Sequence, residues 1–284
     1  MPQAPPVVLT IAGFDPSSGA GVTADIKTIA AHGCYGISCI TALTVQSTTG
    51  VRRVEAVSPE TVSETVHELA ADLEIAAVKI GMLGSGKVVR TVADFLVEQR
   101  LANIVLDPIL KSSSGEPLVD ATGAKLMVER LLPLCSVVTP NLDEAATLAS
   151  LRVSNEEQMK AAAGKLHQIG VRNVVITGGH LDKAIDLLSF TNSQQNIEQE
   201  LFKAERKRSN STHGTGCAFS TAMACHLALG RGLPEAVLLA KAYVTAAIAN
   251  AQPMGKGVGP LHHLYRMHEQ PRRAAAVAEP DPAH

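Results

Sequence analysis

The sequence predicts an α/β protein built on a mostly parallel central sheet with helices on both faces. Three observations carry that prediction. Short runs of β-branched and aliphatic residues, apolar at almost every position, read as strands buried on both sides. Stretches with helical apolar spacing separate these runs, so the period switches between strand and helix along most of the chain. Glycines, acids and amides gather where the apolar runs end, and open α/β sheets bind ligands outside the carboxyl ends of their strands.

The elements follow in order. A first strand is expected over 7–12, ending at Gly13, and a helix over 24–32, closed by Gly33. A β-branched strand follows over 37–45. Ser58 is suited to cap a helix over 59–73, with Pro59 at its first position. A strand over 77–83 precedes a helix over 87–99. The strand over 104–106 ends in Asp107-Pro108, a mostly helical stretch covers 119–132, and the strand over 136–139 ends in Pro140-Asn141. Helices are expected over 143–149 and 156–169, the second closed by Gly170. A strand over 174–177 runs into Gly178-Gly179-His180. Two strands over 184–190 and 200–207 flank a polar turn and suggest an antiparallel edge. Helices over 216–229 and 234–251 close the fold. There is no internal repeat and no linker, so one domain is expected over 1–269. The Pro-, Arg- and Ala-rich segment 270–284 is expected to be a disordered tail.

Composition narrows the function. Of 284 residues, 46% are hydrophobic and 18% charged, which excludes a disordered chain. A net charge of −2, 3% aromatics and no Trp exclude the basic, stacking surface of a nucleic-acid binder. Five scattered cysteines with no CxxC pair argue against a disulfide framework or a zinc site and suit a reducing compartment. The opening Met1-Pro2-Gln3-Ala4-Pro5-Pro6 lacks the pattern of a signal peptide, and no apolar run approaches the ~20 residues of a membrane span. The expected location is cytoplasmic.

The strand-end motifs point to phosphate chemistry. In His213-Gly214-Thr215-Gly216-Cys217, two glycines let successive N–H groups point into one space at the start of an apolar helix. That is an anion site suited to a transferring phosphoryl group. The plainer reading makes Thr215 a helix cap and Cys217 a small core residue. At a helix start a thiol is expected to have a lowered pKa, so Cys217 can take a proton from an attacking hydroxyl. The other four cysteines lie in apolar stretches and read as core. Glu144, with Asp107, can hold Mg²⁺ through water, and Asn141 can meet a phosphate; Asn141 or Asp143 can equally cap a helix. The His213–Cys217 motif lacks the P-loop spacing, and the glycine-rich loop from Ala12 to Gly21 lacks the dinucleotide spacing. Gln46 can both donate to and accept from an aminopyrimidine edge, as an amide does with adenine. Met82 can lie against such a ring.

Taken together these segments resemble the ribokinase-like superfamily, and within it the hydroxymethylpyrimidine/phosphomethylpyrimidine kinases of thiamine biosynthesis. The resemblance rests on Thr10–Gly21 with Asp25 and Lys27, Ile40–Gln46, Lys79–Leu83, Leu106–Pro108, Thr139–Leu142 with Glu144, Gly178–His180, Asn210–Cys217 and Gly255–Pro260, in family order from about Val7 to His263. It implies a three-layer α/β/α fold, a homodimer, and two successive transfers from MgATP to a hydroxymethyl aminopyrimidine and then to its monophosphate. It places Gly13, Asp25, Gln46, Met82 and Ile109 at the pyrimidine. It makes Cys217 the catalytic residue and Gly214, Thr215 and Gly216 the anion hole. Asn141, Glu144 and Asp107 fall to the Mg–phosphate region, and Thr177 and Lys256 to the nucleotide. Thr177 stands where the family often carries Lys, Ile109-Leu110 replaces a Val-Met pair, and Lys111 lies upstream of its usual place, from which it can reach back across the phosphates. Two other readings remain open: a cysteine-type pyridoxal kinase, and a non-catalytic relative that senses the pyrimidine.

Overall fold

The computed structural model describes residues 4–112, 115–179, 184–204 and 209–268. Its strands and helices alternate as β1 (Val7–Phe14), α1 (Gly21–Ala31), β2 (Tyr35–Ser47), β3 (Gly50–Ala56), α2 (Pro59–Asp72), β4 (Ile75–Ile80), α3 (Gly86–Gln99), β5 (Ile104–Leu106) and α4 (Ala121–Leu126). They continue as β6 (Val137–Val138), α5 (Leu142–Ala149), α6 (Glu156–Gln168), β7 (Asn173–Gly178), β8 (Ala184–Thr191), β9 (Ile197–Ala204), α7 (Thr215–Ala228) and α8 (Leu233–Ala249).

All nine strands form one sheet in the order β3-β2-β1-β4-β5-β6-β7-β8-β9. The six strands from β2 to β7 in that order are parallel neighbours, and β3, β8 and β9 are added antiparallel at the edges. The strand period of two divides their side chains between the faces. Val8, Ala77, Val105, Val137, Val175 and Leu188 pack on one side with α1, α7 and α8. Leu9, Ile11, Val78, Ile80, Leu106, Val138 and Ile176 pack on the other with α2 to α6. Both faces are covered, which is why these strands are apolar at successive positions. Helix α7 lies between the sheet and its neighbours and is buried almost all round from Cys217 to Cys225, so it lacks a polar stripe.

Four elements differ most from expectation. β2 is longer than the predicted strand and continues into β3, which the sequence reading left unassigned. The helix expected over 119–132 is α-helical only to Leu126; a π-turn over Met127–Leu131 and a 3₁₀ turn over Leu132–Leu134 follow, where Pro133 has no N–H to continue the ladder. β9 begins at Ile197, ahead of its predicted start, because β8 and β9 pair in unbroken register from Thr191↔Ile197 to Ala184↔Ala204. The tail 270–284, His180, and Ser113 and Ser114 beside Lys111 lie outside the described residues. Among the described residues no helix is long and apolar enough to cross a membrane.

Chain order sets where a ligand fits. β1 sends the chain to β2 on one side, and β4 later returns to its other side. The order reverses at β1/β4, and crevices form at the carboxyl ends of such strands.

Candidate active site

The loop after β1 is built around Asp15. Its Oδ1 accepts from the Ser17 N–H (2.8 Å) and hydroxyl (2.7 Å), and its Oδ2 from the Ala20 N–H (2.9 Å). His213 Nε2 also lies 2.8 Å from Oδ2. Burial raises the Asp15 carboxyl, but the bonds from His213, Ser17 and Ala20 outweigh it and hold the group below its ordinary value. The His213–Asp15 bond joins this loop to the segment that opens α7. Gly214, at φ +82°, caps that helix in the left-handed region, and a Cβ there would lie 1.8 Å from the Gly19 carbonyl oxygen. Only glycine lets the two loops touch.

The first bond within α7 runs from the Ala218 N–H to Gly214 O (2.9 Å), so the N–H groups of Gly216 and Cys217 stand ahead of the helical ladder. Thr215 does not cap: its hydroxyl donates to Thr212 O at 2.7 Å. Asp107, just beyond β5, lies beneath this turn. A Cβ on Gly216 would be 3.7 Å from its Oδ2, and the Ser220 hydroxyl donates to it at 3.4 Å.

Cys217 is where the sequence placed it, but not in the expected ionisation state. It is 7% exposed, and burial pushes its thiol up to about 12. Lys79 pulls the value down, while Asp107 and Asp25 raise it further. The helix end favours the thiolate, but desolvation wins. The thiol hydrogen-bonds Asp107, whose own carboxyl is raised to about 6 by burial despite Lys79. At neutral pH the negative charge of this pair therefore rests on the carboxylate. The other four cysteines are buried, as expected.

Asn141 caps α5. Its side chain accepts from the Glu144 N–H and Glu144 accepts from the Asn141 N–H, both at 2.9 Å. This reciprocal box fixes the Glu144 carboxylate at the strand end. Burial, with the Asp107 charge second, pushes Glu144 up to about 8. Two buried carboxyl groups at neighbouring strand ends are both held above their ordinary range, so a cation placed between them would favour their ionised forms. Among the described residues no three His, Cys, Asp or Glu side chains gather to hold a metal. The donor set fits Mg²⁺, which takes one or two carboxylates and completes its shell with water and phosphate oxygens. Thr177 pairs with Asn141 through a bridge, its N–H donating to Pro140 O at 2.9 Å.

A small apolar cluster lies on the other side of the switch point. Ala42, Met82 and Leu118 are buried there, with Val54 and Ile109 packed against them. A Cβ on Gly13 would stand 3.0 Å from Met82 Sδ. Gln46 shares a strand face with Ala42 and Thr44; its Oε1 accepts from the Thr44 hydroxyl and its Nε2 lies 3.2 Å from His213 Nε2. Gly13, Met82 and Ile109 thus cluster together, and Gln46 lies on the strand face that carries Ala42 of the same cluster. Asp25 does not join them, which corrects the sequence expectation. It is fully enclosed, and its carboxylate is occupied by Lys79 (2.9 Å), Thr10 (2.6 Å) and Thr221 (2.7 Å). Lys256 stands exposed on a loop fastened to Thr48 by the N–H groups of Gly257 and Val258. Lys111 is exposed and bridges to Pro117. His213, Asp15 and Lys79 were present in the motifs, but with no role assigned; their contacts join residues far apart in sequence.

The family model described as phosphomethylpyrimidine kinase matches residues 15–262. The chain belongs to the phosphomethylpyrimidine kinase family. It is 40% identical over 269 residues to the hydroxymethylpyrimidine/phosphomethylpyrimidine kinase of Streptomyces coelicolor, covering 94% of this chain and 98% of that one. It is 42% identical to the thiamine biosynthesis bifunctional protein of Geobacter sulfurreducens over 90% of this chain, but spans only 52% of that longer protein. In three dimensions it matches the ADP complex of Bacillus subtilis pyridoxal kinase with a TM-score of 0.84 at 32% identity, covering 93% and 100% of the two chains. The ribokinase-like fold expected of this kinase family is the one observed.

Proposed function

We infer that the protein is a hydroxymethylpyrimidine/phosphomethylpyrimidine kinase of thiamine biosynthesis. It transfers a phosphoryl group from ATP to the hydroxymethyl oxygen of the aminopyrimidine, and a second to the monophosphate. Two placements support the residue assignment: the Asp107 carboxylate lies under the Gly216 turn, and Gly13, Met82 and Ile109 cluster at strand ends beside the sheet's switch point.

In this reading Gln46 meets the ring's donor–acceptor edge, while Met82 and Ile109 cover its face. The amides at Gly214, Thr215, Gly216 and Cys217 receive the charge that builds on the transferring group. Glu144 and Asp107 hold Mg²⁺, which when bound neutralises phosphate charge. Asn141, Thr177 and Lys256 border the nucleotide. Cys217 is the proton acceptor for the attacking hydroxyl; its buried thiol first gives up its own proton, which the neighbouring Asp107 carboxylate is placed to receive, and the thiolate so formed takes the hydroxyl proton. Two copies pair across the outer face of β2, where Leu43 and Val45 are exposed.

Pyridoxal is the second acceptor to weigh, because the backbone matches a pyridoxal kinase so closely. Incubation with MgATP and either free hydroxymethylpyrimidine or pyridoxal decides between them by product analysis. Pyrimidine mono- and then diphosphate are expected. Phosphorylation of pyridoxal alone would overturn the assignment, and binding of the pyrimidine without product would mark a sensor.

A further inference from the structure

Lys79 has no part in that division of labour, yet its entire side chain is withdrawn from water. A buried ammonium is costly unless paired, and apolar residues of similar volume commonly serve stability as well or better. Its partner is Asp25, 2.9 Å away. The same carboxylate receives Thr10, the register partner of Lys79 on β1, and Thr221 on α7. Thr221 lies four residues after Cys217, on the same face of that helix. One carboxylate therefore ties the lysine to the helix whose first turn forms the anion site. The ammonium also sits directly under Gly81, where a Cβ would stand 2.8 Å from Nζ, one residue before Met82 of the pocket. The ammonium thus sits between a carboxylate tied to α7 and the backbone that leads into Met82.

We propose that Lys79 is a positioning residue for phosphoryl transfer: its ammonium, anchored by Asp25 beneath the first turns of α7, holds a fixed positive charge under the Gly214–Cys217 anion site. The proposal rests on the functional reading above. It gives the pair a role in kcat, because a preorganised charge acts where negative charge builds during transfer.

K79M alone would leave Asp25 buried and unpaired and so confound charge with folding. The test therefore compares wild type with D25N/K79M, in which the Asn amide still has groups to meet the hydroxyls of Thr10 and Thr221. We expect D25N/K79M to melt cooperatively, to keep both KM values within about threefold, and to lose kcat by about tenfold or more. Wild-type kcat in the double variant would show that Lys79 only neutralises Asp25, and would overturn the proposal. Raised KM values with kcat unchanged, or loss of cooperative melting, would overturn it too, by assigning the pair to binding or to folding. Absence of any transfer by the wild type would instead remove the functional reading beneath it.

Discussion

Two titratable residues at the head of the site are placed against their own solvation, and each leads to a measurement. Cys217 is a thiol because burial outweighs the helix end, with its value at about 12. Alkylation at Cys217, mapped by mass spectrometry, should therefore be slow at pH 7 in the ligand-free protein and rise with pH without a plateau below pH 9. A plateau near pH 7 would mean that the thiolate is already formed. C217A should lose kcat by about tenfold or more while keeping its melting temperature, as removal of a proton-transfer group does; turnover at the wild-type rate would take the sulfur out of the chemistry. Glu144 is shifted in the same direction by the same cause. Burial raises it to about 8 from an ordinary 4.5, so the folded protein binds its proton more tightly than the unfolded chain. The stability this gives is complete below about pH 4.5 and is lost as pH rises through 8. Gln keeps an acceptor for the Asn141 N–H without a charge to desolvate. E144Q should then melt roughly 5 °C or more above wild type at pH 9 and close to it at pH 5, while losing at least about tenfold in kcat/KM with MgATP. An equal melting difference at both pH values would show that Glu144 is ionised throughout.

Between elements, the site depends on one loop pressing against another. The loop after β1 and the segment before α7 meet where Gly214 touches the Gly19 carbonyl and His213 bonds Asp15. G214A puts a β-carbon into the left-handed region, at about 1–2 kcal/mol, and adds a backbone clash that moves the loops apart. We expect a total loss near 3 kcal/mol in denaturant unfolding and a fall in kcat of about a hundredfold or more, since the amides of the anion site would shift with the cap. Wild-type values for both would show that this contact is not maintained in solution. The glycines themselves stood out in the sequence as a turn ahead of an apolar helix. Their partner Gly19, nearly 200 positions earlier, did not. The same limit hid the enclosure of Asp25: the family resemblance places it at the pyrimidine, and only its contacts with Lys79 on β4 and Thr221 on α7 show its carboxylate to be enclosed. Local pattern reports which residues are unusual, whereas burial and pairing are set by elements that meet only in the folded chain.

At the level of the whole molecule, the parallel strands could be read because both of their faces are buried and the apolar runs are therefore unbroken. β3 could not. Gly50–Ala56 carries two arginines and a glutamate, lies at the sheet edge, and pairs only with the far half of β2. An edge strand open to water keeps no apolar signature. β2 runs on past its last pairing with β1 at Leu43, and with β3 it extends the sheet there; Ala42, Thr44 and Gln46 lie on one face and Leu43 and Val45 on the exposed face. Those two side chains are 49% and 46% exposed. Single exposed apolar residues are ordinary, but two on one face of a projecting hairpin make a surface that a second copy would cover. On the proposed function such pairing would bear on the pocket, since the inner face of the same hairpin carries Gln46, the amide proposed to meet the pyrimidine. L43D/V45D places like charges across such an interface. Sedimentation at about 10 μM should show the wild type as a dimer and the variant as a monomer, with the KM for the pyrimidine raised several-fold and the KM for ATP little changed. A wild type that sediments as a monomer would leave the hairpin to hold Gln46 unaided, and would separate the shape of the pocket from any assembly of the chain.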